Sequence, residues 1–131
     1  MTVQTSDPDI FAASDVCSFP HALYGRRVRF ECWKNADDQG RIAARKMLGE
    51  DRRDREVPWF WSEQYEVSIQ IAGLPACNSE IVVRGTSDAL LLFHLAADGA
   101  LLGASGIGRA VGCDIRIAQL LIGVNRSMET I

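Results

Sequence analysis

The clearest pattern along the chain lies at residues 65–71, where Tyr65, Val67, Ile69 and Ile71 alternate with Glu66, Ser68 and Gln70. A period of two puts the apolar set on one side of a pleated strand and the polar set on the other. "EIVVRG" and "ALLLFHLA" predict two more strands. "ADG" at 97–99 predicts a hairpin turn into "ALLGAS", because Asp-Gly supplies the positive φ angles such turns need. The period changes in "CDIRIAQLLIG", where Ile115, Ala118 and Ile122 share one helical face and Gly123 marks the stop. Residues 35–49, "NADDQGRIAARKMLG", predict an earlier helix with Asn35 as N-cap, Asp37 and Asp38 in the first turn, Arg45 and Lys46 in the last, and Gly49 at C′. Upstream, Ile10 to Ala13 reads as a strand end leading into a long loop, "SDVCSFPHALYGRR", which has neither period. "EDRRDREV" is too polar to bury itself and reads as a solvated hinge. The strands cluster without intervening helices and nothing repeats. The predicted class is therefore α+β: an antiparallel sheet of about four to five strands, with a preceding helix and a C-terminal helix.

Composition narrows the function. At 131 residues and 47% hydrophobic, the chain suits a single domain with a real core. A net charge of -3 leaves no basic footprint, so no nucleic-acid partner is expected. Apolar stretches such as Ala89 to Phe93 fall far below the roughly 20 residues that span a bilayer, and "MTVQTSDPD" has neither basic nor apolar signal regions. No membrane partner and a cytoplasmic location are expected. Cys17, Cys32, Cys77 and Cys113 form no C-x-x-C pair, and most read as buried thiols, with no metal site. His94 lies in an apolar strand and His21 in a loop, neither with a partner at triad or ligand spacing, so no catalytic residue is predicted. "GIGRAVG" at 106–112 imitates a dinucleotide fingerprint but lacks a βαβ unit around it, and reads as a loop. "NRS" at 125–127 fits the glycosylation pattern, which has no meaning in the cytoplasm.

"PWFWSEQYEV", residues 58–67, gathers Trp59, Phe60, Trp61 and Tyr65 where a strand is about to begin. Such aromatics pack a core or a subunit interface, each burying about 150 to 250 Å². They equally suit a stacking wall beside a planar cofactor or a docking surface for a redox partner, and residue physics leaves both readings open.

Three segments, in order, resemble one family. "TSDPDIFAASDV", residues 5–16, is similar to the last FAD-binding segment of glutathione-reductase-type flavoproteins, T-S-x-P-x-I-Y/F-A-A-G-D-V. "RRVRFECWKNADDQGRIAARKMLG", residues 26–49, resembles the R-x-E-S/C-W-x-N-A-x-x-Q-G segment that follows it. "VPWFWSEQYEVSIQIAGL", residues 57–74, resembles the P-W-F/Y-W-S-D/E-Q signature of FAD-dependent NAD(P)H:ferredoxin reductases that serve bacterial oxygenases and cytochromes P450. The resemblance covers nearly the whole chain but only the C-terminal third of the family. The FAD-gripping G-x-G-x-x-G segment and the nicotinamide domain have no counterpart.

The resemblance implies 1–50 as the tail of an FAD-binding domain, 51–57 as the hinge and 58–131 as a reductase C-terminal, dimerisation-like domain. It implies that Asp15 accepts a hydrogen bond from the flavin ribityl chain and that Val16 lies beside the diphosphate. The helix start at Asn35 and Ala36 would point its positive end at the flavin pyrimidine, a field that Asp37 and Asp38 partly offset. Trp61 would lie close to the isoalloxazine and to the ferredoxin, with Trp59 in a packing role. Ser14 departs from the family glycine, which puts close cofactor contact there in question. A further C-terminal stretch of the family is also absent, so the chain reads as a fragment, a truncated product or one half of a split reductase. The expected function is the C-terminal part of a ferredoxin reductase, inactive alone and with little or no FAD of its own. Its expected partners are a ferredoxin-type iron–sulfur protein or the missing reductase domains, and it is expected to form a homo-oligomer. The alternative is a non-catalytic association or docking module, pairing through the "IFAASDV" strand and the aromatic face.

Overall fold

The structure, a computed structural model, describes residues 3–50, 56–76 and 79–124. It divides into two units, Met1–Glu56 and Val57–Ile131. Of the charged hinge, residues 51–55 lie outside the described residues, as do Cys77 and the "NRS" triplet.

The first unit is built from short pieces. The strand end expected at Ile10 to Ala13 is instead one arm of a turn: Thr5 N–H donates to Ile10 O at 2.9 Å, Ala12 N–H donates to Val3 O at 2.7 Å, and a single antiparallel bridge joins Gln4 to Phe11. A 3-10 turn, Ser14–Val16, follows directly. The segment read as a long loop contains a hairpin, β1 (Phe19–His21) and β2 (Arg26–Val28), closed over Gly25. Strands of three residues are too short to show a period, which is why the pattern hid them. Phe19, His21, Tyr24 and Phe30 form an aromatic cluster, with His21 and Phe30 edge-on at 6.0 Å and His21 and Tyr24 tilted at 4.9 Å. His21 sits in β1 rather than in a loop and is buried. Leu23 N–H donates to its Nδ1, so Nε2 carries the proton and donates to Glu56 O at 3.2 Å.

The helix α1 spans Trp33–Met47, two residues earlier than predicted at its start. Cys32 is the N-cap without a side-chain capping bond, and Asn35 lies inside the first turn; its amide donates to Phe30 O at 3.0 Å rather than capping a helical N–H. The other end matches the expectation. Gly49 N–H donates to Lys46 O and Glu50 N–H to Arg45 O, the two bonds of a Schellman motif, with Gly49 at φ +86° where a side chain would be strained.

The second unit is a five-stranded antiparallel sheet of order β3-β4-β7-β6-β5, formed by β3 (Trp59–Gln64), β4 (Val67–Gly73), β5 (Glu80–Gly85), β6 (Ala89–Leu95) and β7 (Leu101–Gly108). The α+β class and the expected strand number are therefore observed. The strand expected from Tyr65 begins at Val67, because Tyr65 and Glu66 form the two-residue turn between β3 and β4, with Tyr65 at φ +56°. The Trp59 to Trp61 run lies inside β3 rather than ahead of a strand. The Asp98-Gly99 hairpin forms as predicted, Ala100 N–H donating to Asp98 Oδ1 at 3.1 Å.

The closing helix α2 (Gly112–Gly123) buries Ile115, Ala118 and Ile122 against a layer that includes Leu91, Phe93 and Ala104. Burying each large aliphatic there contributes roughly 1.5–3 kcal/mol. The loop predicted at "GIGRAVG" is overturned: Gly106 to Gly108 belong to β7, and α2 starts at Gly112. A Cβ at Gly106 would stand about 3 Å from Leu91, Val111 and Ile115. The glycine makes room for core side chains where a nucleotide fingerprint needs room for pyrophosphate, and the sheet is antiparallel throughout.

Of the described cysteines, Cys17 is buried, Cys32 half-buried and Cys113 exposed, so among the described residues the buried-thiol expectation holds for Cys17 alone. Burial pushes the Cys17 thiol up, partly countered by the Arg27 charge. No described helix is long and apolar enough to cross a membrane.

Candidate functional site

Four of the five expected site residues lie in the first unit, at the join between the 3-10 turn and α1. Ser14 takes φ +69°, the left-handed conformation for which glycine is the natural residue, so the turn keeps its shape although the glycine is gone. Gln39, fully buried one turn into α1, accepts from Ser14 N–H through Oε1 at 2.6 Å. Its Nε2 donates to Asn35 Oδ1 at 3.1 Å, and Asn35 Nδ2 donates to Phe30 O. An unbroken relay thus runs from the β2–α1 connection through two amide side chains to the backbone of the turn. Asn35 is half-buried as the middle of this relay, and the half-buried Ala36 sits beside it in the first turn of α1.

The relay leaves the next residue presented outward. Asp15 is exposed; Ser14 Oγ donates to its Oδ1 at 3.1 Å, and Arg29 donates to its backbone carbonyl at 3.3 Å while holding Glu31 at 2.5 Å. Oδ2 of Asp15 keeps its acceptor capacity, so the residues present fit a ligand hydroxyl. Val16 is exposed and apolar. The two acids thought to offset the helix field are both paired along the helix, Asp38 with Lys34 and Asp37 with Arg41. The positive N-terminal end of α1 is therefore less opposed than their bare charges suggest.

Sequence reasoning missed Gln39 and Arg29 as working parts. Both stand in the quoted "RRVRFECWKNADDQG" segment. With Glu31 and Asn35 they make that segment the scaffold that holds the Ser14–Val16 turn on α1.

Trp61 belongs to the second unit. It stacks on Trp59 two residues back on the same side of β3, with ring centroids 4.5 Å apart and planes 18° apart. Arg116 of α2 covers the Trp59 ring at 5.0 Å, a cation–π contact that ties the indole pair to the helix. Trp59 takes the packing position and covers one face of Trp61, while both stay half-buried. The remaining aromatics disperse: Phe60 points to the opposite side of β3, and Tyr65 is wholly exposed at the turn. Among the described residues, no group of three His, Cys, Asp or Glu side chains could hold a metal ion. His94, half-buried in β6, lies 3.4 Å from Ser79 Oγ, and burial lowers its pKa.

The α+β arrangement, a five-stranded antiparallel sheet closed by one helix, matches the reductase C-terminal domain fold of ferredoxin reductases. The chain belongs to the family described as "Reductase C-terminal", which matches residues 59–130. The anthranilate 1,2-dioxygenase system ferredoxin–NAD(+) reductase component of Burkholderia cepacia is 38% identical over 121 residues, which is 91% of this chain and 29% of that protein. The structure is similar to the reductase of the covalent putidaredoxin reductase–putidaredoxin complex, with a TM-score of 0.84 and 33% identity over 94% of this chain and 29% of that one. The ferredoxin reductase for the CYP199A2 system of Rhodopseudomonas palustris gives a TM-score of 0.85 at 31% identity, over 96% of this chain and 31% of that one. The chain thus spans less than a third of the length of these relatives.

Proposed function

We propose that this chain forms the C-terminal part of a cytoplasmic ferredoxin reductase that passes electrons from NAD(P)H through FAD to an iron–sulfur protein. Residues 1–50 are read as the tail of the FAD-binding domain, 51–57 as a hinge and 58–131 as the reductase C-terminal domain. The observation that carries this reading is the Phe30–Asn35–Gln39–Ser14 relay, which ties the left-handed Ser14 backbone to α1 and leaves the neighbouring Asp15 carboxylate exposed. When bound, FAD accepts electrons in pairs and gives them up singly. Asp15 would hold a ribityl hydroxyl, Val16 would lie along the diphosphate, and Asn35 and Ala36 would bring the positive end of α1 to the flavin ring. By the same resemblance, Trp61 would line that ring. The named relatives, one of them joined to its ferredoxin, support both the activity class and an iron–sulfur partner. Alone, the chain is expected to turn over no substrate.

Grafting tests the reading. Exchange of the matching C-terminal segment of the Burkholderia cepacia reductase component for this chain is expected to retain flavin and NADH-dependent ferredoxin reduction. Asp15→Ala in the graft is expected to weaken flavin retention about tenfold, the loss of one charge-assisted hydrogen bond. A folded graft without flavin, or one indifferent to Asp15→Ala, would overturn the assignment.

A second reading, an association module acting as a dimer or as a dock for other reductase domains, is favoured by a specific observation. On the sheet side away from α2, Ile81, Val83, Leu90 and Ile107 are each at least 40% exposed. Contiguous apolar surface of this kind marks interaction sites.

A further inference from the structure

The strand β5, Glu80–Gly85, lies at one edge of the five-stranded sheet and, among the described residues, is hydrogen-bonded only to β6. All six of its residues are exposed, including Ile81 at 51% and Val83 at 60%. The free side of such a strand presents a row of backbone donors and acceptors, a ready template for another strand. Edge strands in monomeric proteins are ordinarily shortened, bulged, proline-marked or covered. β5 is six residues long, carries no proline, and pairs with β6 in unbroken register from Glu80↔Leu95 to Gly85↔Leu90. Its defence consists of two charges of opposite sign, Glu80 and Arg84, set symmetrically about Val82.

That symmetry selects an occupant. We propose that β5 pairs antiparallel with β5 of a second copy of this chain, about a two-fold axis at Val82. In that register Val82 meets its own copy, Ile81 meets Val83 twice, and Glu80 meets Arg84 twice. Glu80, Val82 and Arg84 share the side of the sheet that carries α2, since they pair with Leu95, Phe93 and Leu91 of β6. Ile81 and Val83 share the other side, where the apolar row of Leu90 and Leu92 continues across the junction. Opposite charges directly across a strand pair stabilise it and like charges oppose it. A parallel pairing in register would set Glu80 on Glu80 and Arg84 on Arg84, and an antiparallel pairing slipped by one residue would break both ion pairs. The same two charges therefore repel the parallel pairing, gain nothing in the slipped one, and reward the two-fold antiparallel register. A two-fold contact of this kind is isologous and closes at two chains, so it extends the sheet to ten strands and stops. The proposal gives a surface to the association reading and does not depend on flavin contact.

Sedimentation velocity of the full chain, from about 1 to several hundred micromolar, reads the outcome. The unsubstituted chain is expected to shift from one copy to two over this range. Glu80→Arg and Arg84→Glu each turn both ion pairs repulsive, and each should raise the dimer dissociation constant about tenfold. The double variant restores both pairs with exchanged ends and should return to within about threefold of the original value. Amide hydrogen exchange on the unsubstituted chain provides a readout that needs no variant: protection of β5 should rise with protein concentration while that of β3, the opposite edge, stays level. A chain that stays single throughout, a dimer indifferent to both single reversals, or no concentration-dependent protection of β5 would each overturn the proposal. A dimer that forms without involving β5 would leave the association reading standing and remove this surface from it.

Discussion

Ser14 is where a single residue carries the most information. The left-handed backbone costs a residue with a Cβ about 1–2 kcal/mol, and the Gln39 side chain pins it there by its bond to Ser14 N–H. Ser14→Gly removes that strain but adds chain entropy in the unfolded state, so a net gain of roughly 0.5–1 kcal/mol in urea unfolding is expected. The departure from the family glycine was visible in the sequence. That the conformation survives it was not, because the cause lies 25 residues away in a buried amide. His94 makes a second residue-scale prediction. Burial lowers its pKa from the ordinary 6.5, so on acidification the unfolded chain takes up that proton before the folded one does. Between the lowered value and about 6.5 the unfolded state binds more protons, and stability falls with pH through that window. Paired urea titrations from about pH 7.5 to 5 are expected to show this decline, and His94→Leu should flatten it relative to the unsubstituted chain.

At the scale of elements, legibility followed length and chemistry. The closing helix was readable because Ile115, Ala118 and Ile122 recur at helical spacing, and the end of α1 because a glycine is needed there. The β1–β2 hairpin was not, since its three-residue arms hold a proline, a histidine and two arginines, and their pairing is stabilised by aromatic contacts distant in sequence. The boundary between β3 and β4 was misplaced because Tyr65 continues the apolar alternation by coincidence while its backbone turns the corner. "GIGRAVG" misled in the opposite sense, since its first glycine serves helix packing. Gly106→Val is accordingly expected to cost about 1–3 kcal/mol in stability through overpacking against Leu91, Val111 and Ile115. A valine tolerated without loss would show that α2 does not approach β7 as closely as described.

For the whole molecule, the family was legible from three ordered motifs, and the α+β class from the crowding of strands without helices between them. The relay that supports the candidate flavin contacts was hidden because Gln39 and Asn35 read, in one dimension, as two polar positions on an ordinary helix. The sheet also has a practical consequence at the edge opposite β5. The chain has two tyrosines, Tyr24 with its hydroxyl buried and Tyr65 fully in solvent at the tip of the β3–β4 turn. A phenol-selective reagent such as a diazonium salt should therefore attach at Tyr65 first, which peptide mapping would verify. The protein could then be tethered to a sensor surface by one corner, leaving the far strand open to whatever binds it.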